Sequence, residues 1–158
     1  MTEQDHAVPT AREVAERFLA AAPDPVGGGL ADLYGDTVVI EMPFAPPGVP
    51  RRTETTREQL RARFAAGAGV REYTGVGSAA VHETRDPGVV VVECDLHGRL
   101  VATGERFVLS YINVMTVRDG RIVHSKDYSD PIAAAKALGL LPRLLELLAA
   151  DAAEEDGR

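Results

Sequence analysis

From Val70 to Ser129 the chain offers four long β candidates in succession, and this run constrains the fold more than any other feature. Val70–Glu83 is the first, interrupted by Gly75 and Gly77. Arg85-Asp86-Pro87-Gly88 reads as a turn into Val89–Leu96, with a continuation past Gly98 to Val101. Thr103-Gly104 turns the chain into Glu105–Val117. Asp119-Gly120 is a hairpin signal, and Arg121–Ser129 ends the run. Strands joined by short turns pair antiparallel, so a mostly antiparallel sheet is expected.

The residues before the run read differently. Thr10 and Glu13 fit a capping box, and Val14, Ala15, Phe18, Leu19 and Ala22 recur at helical spacing, predicting a helix over 10–22. Pro23 and Pro25 stop it, and Gly27–Gly29 form a joint. Leu30 to Tyr34 reads as a short helical turn ending at Gly35, and Thr37 to Met42 as a strand. The loop P-F-A-P-P-G-V-P over 43–50 is too proline-rich for a central strand. Overlapping capping boxes at Thr55/Glu58 and Thr56/Gln59 precede Leu60 and Phe64, predicting a third helix over 56–66 that Gly67 and Gly69 end. Beyond the strands, Asp130-Pro131 starts a short helix to Leu138, and Pro142 starts a last one, with fraying expected after Asp151. The expected organisation is a disordered 1–8, a domain over 9–139, and a C-terminal helix with an acidic tail over 140–158.

Helices followed by strands is α+β order. Three helices of the N-terminal half would pack on the concave side of a strongly curved sheet. The result is a cone with one open end, a natural small-molecule pocket.

Composition removes other classes. A formal net charge of −7 over 158 residues argues against a nucleic-acid partner. No basic amphipathic helix suits a lipid surface, and no apolar run approaches a membrane span. The polar, acidic start lacks a signal-peptide pattern. Cys94 is alone, so no internal disulfide forms, which fits a reducing cytoplasm. Lysine occurs only at 126 and 136 while arginine, alanine and glycine abound, a usage expected of a GC-rich bacterial source. The four histidines have no ligand spacing, and Glu93, Asp95 and His97 are too spread along one strand face. No metal or cofactor is therefore expected. Gly27–Gly29 has no phosphate-loop lysine and reads as a linker, and Cys94, without an evident base, reads as a core thiol.

The chemistry concentrates in the last two strands. Alternation puts Tyr111, Asn113 and Met115 on one face, and Val123, Ser125 and Asp127 on one face of the next strand. If both faces point into the cone, its wall carries a carboxylate, an amide, a hydroxyl and a phenol among apolar groups. Desolvation would then raise the pKa of Asp127 toward a useful value. Asn113, with Tyr111 or Ser125, could stabilise a developing oxyanion. Phe18, Met42 and Met115 would supply apolar contacts to a substrate. Arg63 would bind a substrate carboxylate or neutralise Asp127. Glu41 alternates away from Val38, Ile40 and Met42. Plainer roles stand beside these: an exposed Asp127 paired with arginine, an Asn113 amide bonded to backbone, a solvated Arg63. Asp130 is better placed than Asp127 to cap the following helix.

Three pieces carry a family resemblance: L-Y-G-D-T-V-V-I-E-M-P-F at 33–44, E-T-R-D-P-G-V-V-V-V-E-C-D at 83–95, and K-D-Y-S-D-P at 126–131. Together they resemble the nuclear transport factor 2-like superfamily, which includes ketosteroid isomerases, SnoaL-like polyketide cyclases and limonene epoxide hydrolases. The second and third pieces resemble the phenazine biosynthesis A/B family most closely. The resemblance implies a cystatin-like α+β barrel and a homodimer. It puts Asp127 at the place of the phenazine family's catalytic glutamate and of the epoxide hydrolases' water-activating aspartate. Arg63 and Gly67 fall where the phenazine family has histidine and serine. Met42 and Asn113 fall where ketosteroid isomerases have their base and donor aspartates.

The expected function is a cofactor-free acid/base isomerase or cyclase. Its substrate would be a small, largely apolar, polyketide-like carbonyl compound of bacterial secondary metabolism, with Asp127 as proton shuttle. Two alternatives stay open: an epoxide hydrolase or epoxide-opening cyclase in which Asp127 activates water or a hydroxyl, and a small-molecule-binding protein without turnover.

Overall fold

The computed structural model describes residues 7–156. Expected disorder over 1–8 therefore falls mostly outside the described residues; Ala7 and Val8 are exposed and have no regular structure. The first helix, α1 (Ala11–Ala21), starts where sequence places it. The Thr10 side chain accepts from the Glu13 backbone, and the Glu13 carboxylate accepts from the Thr10 backbone N–H, completing a capping box. A single 3₁₀ turn (Leu30–Leu33) leads into β1 (Tyr34–Glu41). Tyr34, expected to end a helical turn, instead opens a strand.

A strand absent from the sequence reading comes next. β2 (Arg52–Thr56) pairs antiparallel with β1 and lies at the sheet edge. It runs straight into α2 (Arg57–Ala68), where Thr56 and Gln59 form the working capping box. β3 (Arg71–Glu83), β4 (Val89–Leu100), β5 (Arg106–Arg118) and β6 (Arg121–Ser129) follow close to their expected bounds. Asp119 and Gly120 both take positive φ, 49° and 70°, as the tight β5–β6 hairpin requires. Asp130 caps α3 (Pro131–Ala137), its carboxylate accepting from the backbone of Ile132 and Ala133. The last helix, α4 (Leu141–Asp156), continues past Asp151, so the fraying expected there is not seen up to Asp156.

The six strands form one curved sheet in the order β2-β1-β6-β5-β4-β3. Every neighbouring pair is antiparallel except β1 with β6. Register breaks in β3 against β4 mark bulges, which bend a sheet. The sheet stays open, with β2 and β3 as its edges, so the α+β cone is not a closed barrel.

α1 lies against β3, β4 and β5, while α2 lies against β1, β2 and the 3₁₀ turn. Val14, Ala15 and Phe18 of α1 and Leu60 of α2 meet Val38, Val90, Val92, Met115, Val117 and Ile122 of the sheet in one core. Met115 and Ile122 are fully buried. A register break beside Thr116/Val117 leaves Val123 unpaired in the β5–β6 ladder. Ile122 and Ser125 are consequently both buried, while Val123 is only half-buried. Strict alternation would have put Val123 inward in place of Ile122; the bulge reverses that.

Candidate active site

Register brings the key pair together. In the β5–β6 ladder Asn113 stands directly opposite Asp127, and Met115 opposite Ser125. Opposed residues on one face have adjacent side chains. The Asn113 amide donates to Asp127 Oδ1 at 2.8 Å. The Ser125 hydroxyl donates to the same oxygen at close range. Among the described residues, nothing donates to Oδ2. No buried side-chain oxygen among the described residues lacks a partner, so Oδ2 is not sealed off.

Asp127 borders a cavity of about 330 Å³ between the sheet's inner face and the helices. Asp127, Asn113, Tyr111, Tyr34, Phe18 and Arg63 all line it, with Cys94, Leu96 and Tyr73. Burial pushes the Asp127 carboxyl above the usual aspartate range, because a charge away from water is costly. The bonds from Ser125 and Asn113 oppose that rise by favouring the charged form.

Two phenols share the cavity. Burial pushes the Tyr34 hydroxyl well above the ordinary phenol range, and the nearby charge of Asp127 adds to this while Arg63 opposes it. Burial pushes Tyr111 to about 12, with Tyr73 and Asp127 adding and Arg71 opposing. Both hydroxyls therefore keep their protons near neutral pH and are hydrogen-bond donors. Neither has a partner among the described residues, and neither oxygen is sealed off.

Tyr34 was missing from the sequence reading. Its place depends on the parallel pairing of β1 with β6, which sets Tyr34 beside Ile122. Arg57 anchors it by donating to the Tyr34 carbonyl at 2.9 Å. The motif L-Y-G-D-T at the strand start was the available signal, but nothing local shows where its phenol points.

The other expected site residues divide. Tyr111, Asn113, Asp127, Phe18 and Arg63 come together at the cavity, Arg63 as an exposed residue at its margin. Ser125 is 1% exposed and meets Asp127 from behind, so it positions the carboxylate and does not wall the cavity. Met115 is 0% exposed within the apolar core and lines neither this cavity nor the second chamber below. The bulge brings Ser125 and Ile122 inward around it. Met42 lines a second chamber of about 280 Å³, whose wall also includes Asp127. Asn113 gives one amide hydrogen to Asp127, which makes it a positioning group as well as a cavity wall.

Outside the cavity, Glu41 bonds His124 at 2.8 Å. Glu93 bonds His82 at 2.8 Å and Asp95 accepts from Ser110 at 2.6 Å. Cys94 is buried, and burial raises its thiol pKa, so the thiolate is disfavoured. No described helix is long and apolar enough to cross a membrane.

The open α+β cone is the fold of the nuclear transport factor 2-like superfamily. The chain belongs to the SnoaL-like domain family, whose model matches residues 15–125. It is 34% identical over 134 residues to an uncharacterized PhzA/B-like protein of Pseudomonas aeruginosa, covering 82% of this chain and 90% of that one. A crystal structure of a Bacillus subtilis protein provisionally named an isomerase aligns with a TM-score of 0.73 and 28% identity, covering 82% of this chain and 93% of that one. A Pseudomonas putida protein provisionally named a polyketide cyclase has the same fold, with a TM-score of 0.68 at 15% identity over 82% of this chain and 98% of that one.

Proposed function

We propose that the protein is a cofactor-free acid/base isomerase or cyclase acting on a small, largely apolar carbonyl compound. The observation that carries this reading is the Asp127 carboxylate on the cavity wall, with Oδ1 held by Ser125 and Asn113 and Oδ2 left open. Asp127 Oδ2 takes a proton from the carbon next to the carbonyl. The C–H electron pair moves into an enolate, whose oxygen accepts hydrogen bonds from Tyr34 and Tyr111. In an isomerase, Asp127 returns the proton to a different carbon. In a cyclase, the enolate carbon first attacks a second carbonyl of the same molecule, and the proton goes to the new alkoxide. Proton transfer of this kind is worth roughly 10²–10⁴ in rate.

The provisional isomerase and cyclase names of the structural neighbours support the same class of reaction. The exposed Val108 and Ile112 on the outer sheet face support the homodimer that the resemblance implies; sedimentation tests it.

The test is deuterium uptake next to the carbonyl of methyl ketones in D₂O, followed by NMR. The wild type should exchange these hydrogens faster than buffer, and Asp127→Asn should lose the acceleration while still binding ketone. Opening of cyclohexene oxide without ketone exchange would transfer Asp127 to water activation. If neither substrate turns over while ketones bind, the protein is a binder.

A further inference from the structure

We infer that the second chamber, on the other side of Asp127, binds the apolar arm of the substrate, so that the substrate spans two chambers with its reacting carbon at Asp127. This rests on the reading of Asp127 as the base. It makes the substrate a carbonyl compound whose carbonyl-bearing part occupies the first chamber and whose alkyl or aryl arm occupies the second.

Asp127 is on the lining of both chambers. Both are chiefly apolar, but the first carries many more polar groups. Besides Tyr34, Tyr111 and Asn113, its lining includes two arginines, Arg63 and Arg71, and two further carboxylates, Asp24 and Glu72. The second is walled chiefly by Met42, Phe44, Ala134, Leu138, Leu144 and Leu147. Its polar exceptions are Asp127, Ser129 and Arg143, and Arg143 is paired with Glu146 at 3.1 Å on its own helix. A charged or strongly polar group in that chamber would lose water without gaining a partner.

Size points the same way. The chambers measure about 330 and 280 Å³. Each alone is at the lower limit of small-molecule sites, roughly 300–1,000 Å³, while a molecule occupying both falls well inside that range. An arm in the second chamber would also keep water from the other side of Asp127. That strengthens the desolvation on which its basicity depends.

The chamber joins early and late parts of the chain. The proline-constrained loop over 43–50 forms one side, and α3 and α4 form the other. Both helices lie beyond the 15–125 stretch matched to the family. Leu147 of α4 comes within 3.8 Å of where a Cβ at Gly48 would stand, so helix and loop meet over the space. The length of arm accepted is thus set jointly by the 43–50 loop, inside the matched stretch, and by α3 and α4, outside it.

The experiment uses the full chain and methyl ketones from butanone to decanone, titrated by calorimetry. Affinity should rise roughly fourfold for each methylene until the chamber is full, the gain expected for burying one CH₂. The chain has no tryptophan, so Phe44→Trp places a unique fluorophore at the chamber wall. A decanone brominated at its far end should quench it, and one brominated beside the carbonyl should not. Ala134→Trp, on α3, should weaken decanone at least tenfold and leave butanone unchanged. Leu147→Phe, on α4, provides a second filling variant should the first disturb folding.

A flat chain-length series, absent quenching, or filled variants that bind decanone like the wild type would each overturn the inference. Deuterium exchange separates it from the reading beneath it. Exchange without a chain-length gradient removes only the second chamber's role. A gradient without exchange leaves an alkyl site but removes Asp127 as base, and with it the spanning substrate.

Discussion

Asp127 is held asymmetrically, as the proposed base role requires. Two donors fix Oδ1, so the side chain has a defined orientation, while Oδ2 is not sealed off. Burial raises the pKa and the two donors restrain the rise. Removing a donor should let it climb. Ser125→Ala is therefore expected to shift the acid limb of the pH–rate profile to higher pH, since activity requires the ionised form. An unmoved limb would mean that Asp127 is not the group titrating. Tyr34→Phe removes an oxyanion donor and should lower kcat/KM on the order of a hundredfold, with little change in ketone binding. Stability should move the opposite way to activity. A carboxyl whose folded pKa lies above its unfolded value, about 3.9, contributes fully below that value. Its contribution is lost as pH rises through the folded pKa. Asp127→Asn should consequently raise Tm relative to wild type at pH 7, and the gain should shrink as the pH falls and be gone below about pH 4, as differential scanning calorimetry would show.

Among the elements, helix starts and hairpin turns were legible because their signals are local. Thr10 with Glu13, Thr56 with Gln59, and Asp130 before Pro131 all cap as their spacing predicts. α2 carries Arg63 and Phe64 to the cavity, so its cap bears on the site. Thr56→Ala should cost about 1 kcal/mol in urea unfolding; no change would show that packing of Leu60 alone fixes this helix start. β2 was not legible. Its residues R-T-E-T-T have no apolar alternation, because an edge strand with one neighbour buries little: only Thr55 is buried. The Val123 bulge was equally hidden, since a bulge is a property of two paired strands and not of one.

In the whole molecule, core and cavity draw on the same inward faces. Met115 and Asn113 share one side of β5, yet Met115 is packed solid and Asn113 borders open space. Met115→Ala is expected to cost roughly 2–5 kcal/mol, with ketone affinity kept in the folded fraction. A selective loss of affinity at unchanged stability would return Met115 to the substrate. The amino-acid order alone determined the α+β class and nearly every element, and it put Asp127 forward as the candidate base. Periodicity, capping and turn residues act over a few positions and can be read there. Tertiary structure alone decided that Tyr34 lines the cavity, that Met115 lies in the core instead, and that Asp127 borders two chambers. Each depends on the parallel β1–β6 pairing, on a bulge, or on α4 meeting the 43–50 loop. Contacts between distant segments are settled by how apolar surfaces fit in three dimensions.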